Sequence, residues 1–378
     1  MTSLRGRVIT PHADLPDAVI EIAGSRIVRV APAQPSAEAS PPRSDVVFLP
    51  GLVDLHCHGG GGSSFSVADE RQVRDGAAHH LGQGTTVLMG STVTDSPPRM
   101  LAAIAALADG VDTGSLIGIH IEGPFLSTAR CGAQDPAWIR TPDLGLLHEL
   151  LDAGRGHVRI MTVAPELPGA DAVIELLSAR GVIAAVGHTE ADAATVERVL
   201  RRAQPGLVTH LFNGMPAIHH RDPGPVIGAL NAAAAGAAHL ELIADGVHLA
   251  DDMVAAVFSL VGGNRVVLVT DAMAAAGLQD GTFQLGPSAV RVRDGVARLA
   301  HGDSLAGGTS RLLDIVRRQV HAGLDPVEVV ACASSRPAAV IGLQDEVGSL
   351  AAGCRADIVE ADADLRPLRV MRAGTWVA

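Results

Sequence analysis

Strand-length apolar runs recur through the middle of the chain, and most of them are followed by a segment with helical periodicity. The eight runs are LVDLHCH (52–58), TTVLMGS (85–91), LIGIHIEG (116–123), VRIMTVAP (158–165), VIAAVGHT (182–189), LVTHLF (207–212), HLELIAD (239–245) and RVVLVTDA (265–272). Helical patterns cover residues 68–81, 142–153, 191–203, 249–261 and 309–323, the last after a hairpin-like excursion at 281–302. Eight strand-then-helix units predict an α/β fold, a (β/α)8 TIM barrel. A doubly wound open sheet is the alternative, but no GxGxxG motif follows the first strand as that fold requires.

The two ends of the chain have a different pattern, with short strand-like runs and turns. Residues 1–45 contain β-rich runs separated by an Ala-Gly-Ser triplet, as in a hairpin, and residues 32–45 are rich in Pro and Ser, which predicts a surface loop. Short strand-like runs return at 348–378. We therefore expect a small β domain formed by residues 1–50 and 345–378, and a barrel catalytic domain over residues 51–344.

Composition narrows the function classes. The chain has 378 residues, 47% of them hydrophobic, so it can bury a large core, but only 2% are aromatic, which disfavours base-stacking platforms for nucleic acid. A formal net charge of −12 disfavours binding to nucleic acid or anionic membranes. Every basic residue is arginine, so Schiff-base chemistry, a P-loop lysine and a carbamylated-lysine metal bridge are excluded.

The sequence also indicates a reducing compartment. Its four cysteines have no CxxC pairing and no disulfide-like spacing, and residues 1–17 contain no apolar signal-peptide core. The most apolar long stretch, 226–244, is interrupted by Asn231, His239 and Glu241, which argues against a membrane span. We expect a cytoplasmic protein.

Residues capable of metal binding or acid–base chemistry fall at the ends of the predicted strands. In a TIM barrel those ends form the rim that carries the active site. The residues are His56 and His58 (strand 1), Glu122 (strand 3), His188 (strand 5), His210 (strand 6), His248 (just after strand 7) and Asp271 (strand 8). Six strands therefore bring such groups to one rim, which predicts a metal site.

Each group has a proposed part in that site. His56 and His58 are two apart, so both imidazoles lie on the same face of the strand. Glu122 is the candidate bridge between two ions, since there is no lysine, and a buried acid needs a partner or a metal. With Glu122, His188 and His210 complete a three-ligand site that leaves room for water. Asp271 would serve as metal ligand and as general base, then general acid.

Less specific interpretations of these residues remain open. An isolated His-x-His pair is often a surface or core feature, although the flanking PGLVDLHCHGG favours chelation. His120 shares the face of Glu122 and is expected only to support the metal ligands. Asp271 could instead cap a helix.

Together the motifs resemble the amidohydrolase superfamily and, within it, the N-acetylglucosamine-6-phosphate deacetylases. The segments that carry this resemblance are PGLVDLHCHGGGG, GIHIEGPF, AVGHT, THLFNGMPAIHHRDPG, IADGVHL, LVTDAMAAAG and LAGGT, in the family's order from residue 50 to about 309. The ends of the chain resemble the family's small β-sandwich domain. The resemblance implies hydrolysis of the acetamide of N-acetylglucosamine 6-phosphate, in amino-sugar catabolism and cell-wall sugar recycling.

The resemblance also implies the substrate contacts and the assembly. Arg221 and His248 would hold the 6-phosphate, at a site shared across a homodimer interface. The residues expected to contact the substrate are Ala133, Gln134, Asn213, Gly214, Arg221, Asp245, His248, Leu305, Ala306 and Gly307. From residue chemistry alone, Arg221 beside two histidines could be an anion site or a solvated loop.

Two features set this chain apart within the family. It keeps His-x-His, which some members lack, so one or two divalent ions are expected, zinc first and iron, cobalt or manganese as alternatives. The loop after IEGPF reads Arg130-Cys131-Gly132-Ala133-Gln134, so Gln134 stands where the family usually has a substrate-contacting histidine. Its amide can donate a hydrogen bond to the acyl oxygen, but it carries no full charge. We interpret Cys131 as a bystander, with a substrate contact or a redox-sensitive position as alternatives.

Three rival functions follow from the same residues. Another amidohydrolase activity, such as that of a dihydroorotase, an aminoacylase or a purine deaminase, would not need Arg221 and His248 together. A regulator that holds metal and binds sugar phosphate without turnover would not need Asp271. A metal-free TIM-barrel isomerase does not account for four histidines and a glutamate at one rim.

Overall fold

The computed structural model describes residues 1–33 and 43–377 of the chain. Over these residues the strands are β1 (Thr2–Ile9), β2 (Asp14–Ala23), β3 (Arg26–Pro32), β4 (Arg43–Pro50), β5 (Leu52–Asp54), β6 (Gly59–Gly60), β7 (Ser63–Ser64), β8 (Thr85–Thr92), β9 (Gly118–Glu122), β10 (Val158–Val163), β11 (Ile183–Val186), β12 (Gly206–Val208), β13 (Ala238–Leu242), β14 (Val266–Leu268), β15 (Gly281–Leu285), β16 (Ser288–Arg293), β17 (Val296–Leu299), β18 (Ile358–Asp362), β19 (Pro367–Arg372) and β20 (Thr375–Trp376). The α-helices are α1 (Glu70–Leu81), α2 (Pro97–Asp112), α3 (Leu144–Ala153), α4 (Ala170–Ala179), α5 (Ala193–Arg202), α6 (Gly224–Ala234), α7 (Asp251–Val261), α8 (Leu312–His321), α9 (Pro326–Cys332) and α10 (Ser335–Val340).

Eight strands form a nearly closed parallel barrel, as the sequence predicts. The strand order is β5-β8-β9-β10-β11-β12-β13-β14, so neighbours in sequence are neighbours in the sheet. Their residues are almost all buried, because apolar strands covered by helices lose contact with water on both faces. The barrel closes where the segment after β5 meets the segment after β14: the Asp271 N–H donates to the His56 carbonyl (2.9 Å) and the His58 N–H to that of Ala272 (2.7 Å).

Aspartate side chains start several of the helices. Asp143 accepts hydrogen bonds from the N–H groups of Gly145 (2.7 Å) and Leu146 (3.2 Å) at the start of α3. Asp192 accepts one from Thr195 at the start of α5 (2.7 Å). These caps satisfy N–H groups that have no partner inside the helix, which places each helix start directly after its loop.

The predicted excursion near 281–302 is a three-stranded antiparallel sheet, β15-β16-β17. The terminal segments form a seven-stranded mixed sheet of order β20-β19-β18-β4-β1-β2-β3, so the two ends of the chain do pair. The predicted hairpin is β2-β3, with Gly24 at φ +57° in its turn, a conformation that favours glycine. The apolar core of the seven-stranded terminal sheet includes Ile20, Phe48 and Ile358.

The chain forms two compact units. One spans Met1–Asp54, His79–Val87 and Arg311–Ala378, and the other spans Leu55–Ala78 and Leu88–Ser310. The domain boundaries predicted at residues 50 and 345 stay a prediction. Of the loop predicted over residues 32–45, residues 34–42 lie outside the described residues. No described helix has both the length and the apolar character that crossing a membrane requires.

Candidate active site

The first group of candidate metal ligands joins the two ends of the barrel sheet. His56 and His58 follow β5, and Asp271 follows β14. Asp271 Oδ1 lies 3.4 Å from His56 Nε2 and 3.1 Å from His58 Nε2. The two Nε2 atoms are 3.1 Å apart. Three ligand atoms therefore converge on one point, and a single cation could contact all of them.

The second group lies beside the first. Glu122 ends β9, His188 follows β11 and His210 follows β12. Glu122 Oε1 lies 3.1 Å from His188 Nε2 and 2.9 Å from His210 Nε2. The other carboxylate oxygen, Oε2, lies 3.3 Å from His58 Nε2. Glu122 thus contacts ligands of both groups, which is the position that a bridging carboxylate needs.

Hydrogen bonds on the far side of three imidazoles determine which nitrogen faces the site. His56 Nδ1–H donates to Glu241 Oε2 (3.1 Å), His58 Nδ1–H to the Ser91 carbonyl (3.2 Å) and His188 Nδ1–H to the Arg130 carbonyl (2.7 Å). A neutral imidazole that carries its proton on Nδ1 has a lone pair on Nε2. The Nε2 lone pairs of His56, His58 and His188 therefore face the site, where they lie close to one another and to carboxylate oxygens.

The charge balance of the site also calls for a cation. Burial lowers the pKa of His56, but the negative charges of Asp271 and Glu122 outweigh it and raise that pKa well above its ordinary value. The pKa values of His58 and His188 are raised as well, against the effect of burial, by hydrogen bonds and charges from the same carboxylates. The carboxylates of buried Glu122 and partly buried Asp271 thus attract positive charge, which a divalent ion can supply in place of protons. The donor set of imidazole nitrogens and carboxylate oxygens fits such an ion.

Asp271 is held ionised by this arrangement. Burial raises the pKa of Asp271, yet the charge of His56 and the hydrogen bond and charge of His58 lower it to about 2. The pKa of Glu122 is lowered well below its ordinary value despite burial, by the charge of His56 and the hydrogen bonds of His188 and His210. Both groups are carboxylates at neutral pH.

Three of the candidate ligands have a strained backbone. His188, His210 and Asp271 have φ values of +47°, +27° and +46°. Residues other than glycine rarely adopt this backbone region, and each residue held there costs about 1–3 kcal/mol. All three lie within a few residues of the end of a barrel strand, so the chain tolerates strain where these candidate ligands converge.

Five of the six candidate ligands, all except the fully buried His56, line a cavity of about 310 Å³. Its walls also carry seven of the ten predicted substrate residues: Ala133, Gln134, Asn213, Gly214, His248, Leu305 and Gly307. The lining also includes residues that no sequence motif indicated, namely Val93, Phe212, Leu285 and Ser304. A volume of this size suits a small molecule such as one sugar unit.

The remaining three predicted substrate residues do not line the cavity. Asp245 supports His248 instead, since its Oδ2 accepts from His248 Nδ1–H (2.9 Å) and its Oδ1 from the His248 N–H (2.8 Å). Ala306 is buried with Met273 and Val290 in an apolar cluster. Arg221 is exposed on the loop before α6, where its Nη1 lies 2.8 Å from His220 Nε2.

Comparison with known proteins decides the family. The model of the amidohydrolase family matches residues 47–377. The chain belongs to the amidohydrolase family. It is 32% identical to N-acetylglucosamine-6-phosphate deacetylase of Bacillus subtilis (strain 168), over 94% of this chain and 92% of that protein. It is also 32% identical to N-acetylgalactosamine-6-phosphate deacetylase of Escherichia coli O157:H7, over 97% of both chains.

A solved structure is similar over nearly the whole of this amidohydrolase. It is N-acetyl-D-glucosamine-6-phosphate deacetylase from Mycobacterium smegmatis, a mutant in complex with N-acetyl-D-glucosamine-6-phosphate. The TM-score is 0.93 and the identity 41%, covering 99% of this chain and 98% of that chain. The chain therefore has the fold of a deacetylase that was solved with an amino-sugar phosphate bound.

His120 and Glu241 are both buried beside His56 in this amidohydrolase. His120 is not among the converging ligand atoms: its Nδ1 lies 3.0 Å from Ser91 Oγ and its Nε2 2.8 Å from Thr162 Oγ1. Burial and the charge of His56 lower its pKa well below the ordinary value, so it is neutral. Glu241, which orients His56, was not recognised as part of the site, although a carboxylate inside an apolar strand was a usable signal.

Proposed function

We propose that this amidohydrolase removes the acetyl group of N-acetylglucosamine 6-phosphate and releases glucosamine 6-phosphate and acetate. The observation that carries the proposal is the pair of candidate ligand groups that meet where Glu122 approaches His58, beside one cavity. The deacetylase from M. smegmatis, similar over nearly the whole chain, was solved in complex with this sugar phosphate, which supports the same substrate here.

The metal would be held by the residues that converge on the cavity. These are His56, His58 and Asp271 in one group and Glu122, His188 and His210 in the other. A divalent ion bound there would polarise the acetamide carbonyl and would lower the pKa of a water molecule toward about 7. Zinc suits this donor set best, with iron, cobalt or manganese as alternatives, and one or two ions could bind.

Asp271 moves the proton in this proposal. Its side chain is 13% exposed and lines the cavity, so an attacking water can reach it. As a carboxylate it accepts one proton when the water oxygen attacks the acetamide carbon. It then gives that proton to the amide nitrogen as the carbon–nitrogen bond breaks, which lets the amine of the sugar leave. Acetate and the free amine are the balanced products.

The cavity walls would hold the sugar. Asn213, Gly214 and His248 lie around the cavity, and His248 presents its ring with Nδ1 already bonded to Asp245. Arg221 is outside the cavity of its own chain, which supports a 6-phosphate site completed by a second copy in a homodimer. An arginine from the partner chain would then pair with the phosphate.

The second candidate substrate is the epimeric sugar phosphate, N-acetylgalactosamine 6-phosphate. It follows from the similarity of this chain to N-acetylgalactosamine-6-phosphate deacetylase of E. coli. None of the four cysteines, all of them in the described ranges, forms a disulfide, and Cys57 and Cys332 are buried, which supports a reducing, cytoplasmic location.

The test is acetate release by the metal-reconstituted protein, with Asp271→Asn beside it. We expect the wild-type protein to release acetate and amine in equal amounts and the variant to lose at least about a hundredfold in kcat while still binding the sugar phosphate. Asp252→Asn makes the same change on an exposed position of α7 and is the control. Full turnover by Asp271→Asn would overturn the assignment of the proton-moving group.

A further inference from the structure

Glu122 presents its two carboxylate oxygens to different partners. Oε1 faces His188 and His210, at 3.1 Å and 2.9 Å. Oε2 accepts a hydrogen bond from Gln134 Nε2 at 2.6 Å and lies 3.3 Å from His58 Nε2. The shortest of these contacts is the one with Gln134, the residue that stands in place of the family's histidine.

The orientation of the Gln134 amide is fixed by its other end. The Thr94 N–H lies 2.6 Å from Gln134 Oε1, and a backbone N–H can only donate. The carbonyl oxygen of the amide must therefore face Thr94, and the NH2 group must face Glu122. Thr94 Oγ1–H donates in turn to the Glu122 carbonyl (3.2 Å). Gln134 thus belongs to a closed ring of hydrogen bonds around Glu122.

The same loop also orients His188, the neighbour of Glu122. The Arg130 carbonyl accepts from His188 Nδ1–H (2.7 Å), and the Ser127 N–H donates to the His188 carbonyl (2.9 Å). Gln134 itself is only 5% exposed, so its contacts are shielded from water. Residues 127–134 therefore touch the metal ligands from outside at several points.

We propose that Gln134 is a positioning residue for Glu122. By donating to Oε2 it prevents the carboxylate from rotating and directs Oε1 toward His188 and His210. A ligand carboxylate held in this way binds metal more tightly, because it loses less freedom when the ion enters; partners of this kind typically change metal affinity or activity by about 10- to 100-fold. This inference rests on the proposed metal-dependent function and differs from the substrate contact expected from the sequence.

Measuring metal affinity distinguishes a positioning role of Gln134 from a contact with the substrate. Gln134→Met removes both hydrogen bonds at similar volume. Gln134→Ala removes both hydrogen bonds by truncation and places no new charged group against Glu122. Gln279→Met makes the first change on an exposed residue and is the matched control.

The experiment is equilibrium competition for Zn²⁺ between the loaded protein and a chromophoric chelator, followed by KM and kcat at saturating Zn²⁺. We expect Gln134→Met and Gln134→Ala to hold Zn²⁺ about 10- to 100-fold more weakly than the wild-type protein and Gln279→Met. With Zn²⁺ saturating, KM should change less than about threefold. Zinc affinity within about twofold of wild type, together with a roughly tenfold rise in KM, would show a substrate contact and overturn the proposal.

The zinc-affinity result can be interpreted even if the substrate is not the one proposed. The Zn²⁺ competition needs no substrate, so it tests Gln134 even if the deacetylase assignment fails. Gln134→Ala only truncates a side chain that lines the cavity, so it tests the donor to Glu122 even if Gln134→Met does not fold. Unchanged zinc affinity in Gln134→Ala would by itself contradict the positioning role.

Discussion

Substitution of Glu241 tests quantitatively how a hydrogen bond on the far side of His56 affects metal affinity. Its carboxylate is completely buried on β13, and Oε2 accepts from His56 Nδ1–H (3.1 Å) and from the His210 N–H (3.3 Å). The bond to His56 keeps the proton on Nδ1 and leaves Nε2 free to bind an ion. We therefore predict that Glu241→Gln weakens metal binding, although Glu241 itself is not among the converging ligand atoms.

The magnitude follows from the change in hydrogen-bond type. The amide that Glu241→Gln introduces carries no charge, so a charge-assisted bond of about 1.5–3 kcal/mol becomes a neutral one of about 0.5–1.5 kcal/mol. The difference, about 1–1.5 kcal/mol, corresponds to roughly tenfold in affinity. Glu241→Leu removes the acceptor altogether and should cost up to about 100-fold.

Competition of the purified variants with a chelator for Zn²⁺ measures this effect, and circular dichroism reports whether the fold is kept. Glu149→Gln, on an exposed position of α3, is the matched control and should bind Zn²⁺ as the wild-type protein does. If Glu241→Leu folds and holds Zn²⁺ within about twofold of wild type, the reasoning about the far side of His56 is wrong.

Two further predictions concern the substrate side of the cavity. Gly214→Ala would place a Cβ 2.7 Å from His188 Nδ1 at φ +62°, so kcat should fall more than about tenfold. Gly181, at φ +70°, has open space around it, so Gly181→Ala incurs the same backbone strain of about 1–2 kcal/mol without a clash and should keep full activity. Both variants are measured by acetate release. Equal losses of activity in the two variants would refute the role of the His188 contact. Arg221→Ala should raise KM for the phosphorylated sugar at least about tenfold, in steady-state assays, and leave thermal stability unchanged; an unaltered KM would remove Arg221 from the phosphate site.

The positions of the candidate ligand residues at one rim could be predicted because they depend on local features. A strand followed by a loop places its last residues at the rim of a parallel barrel, and each of His56, Glu122, His188 and Asp271 ends or follows an apolar run. The count of eight strands and their order follow from the same periodicity, since adjacent units in a barrel pair with each other.

What could not be predicted depends on pairs that are far apart in sequence. The hydrogen bond from Gln134 to Glu122 depends on the path of a loop, and the acceptor for His188 is a backbone carbonyl, that of Arg130, which any residue carries. Glu241 and His56 are 185 residues apart. The position of Arg221 outside the cavity likewise follows from loop geometry that no motif encodes.

The most direct measurement of the central claim is kcat/KM for acetate release from N-acetylglucosamine 6-phosphate, beside the unphosphorylated sugar and N-acetylgalactosamine 6-phosphate. The protein is tested as reconstituted with Zn²⁺ and after removal of metal by a chelator. We predict fast release that requires metal and phosphate and is greatest for the glucosamine epimer. No release from either phosphorylated sugar, with Zn²⁺ confirmed bound, would contradict the account.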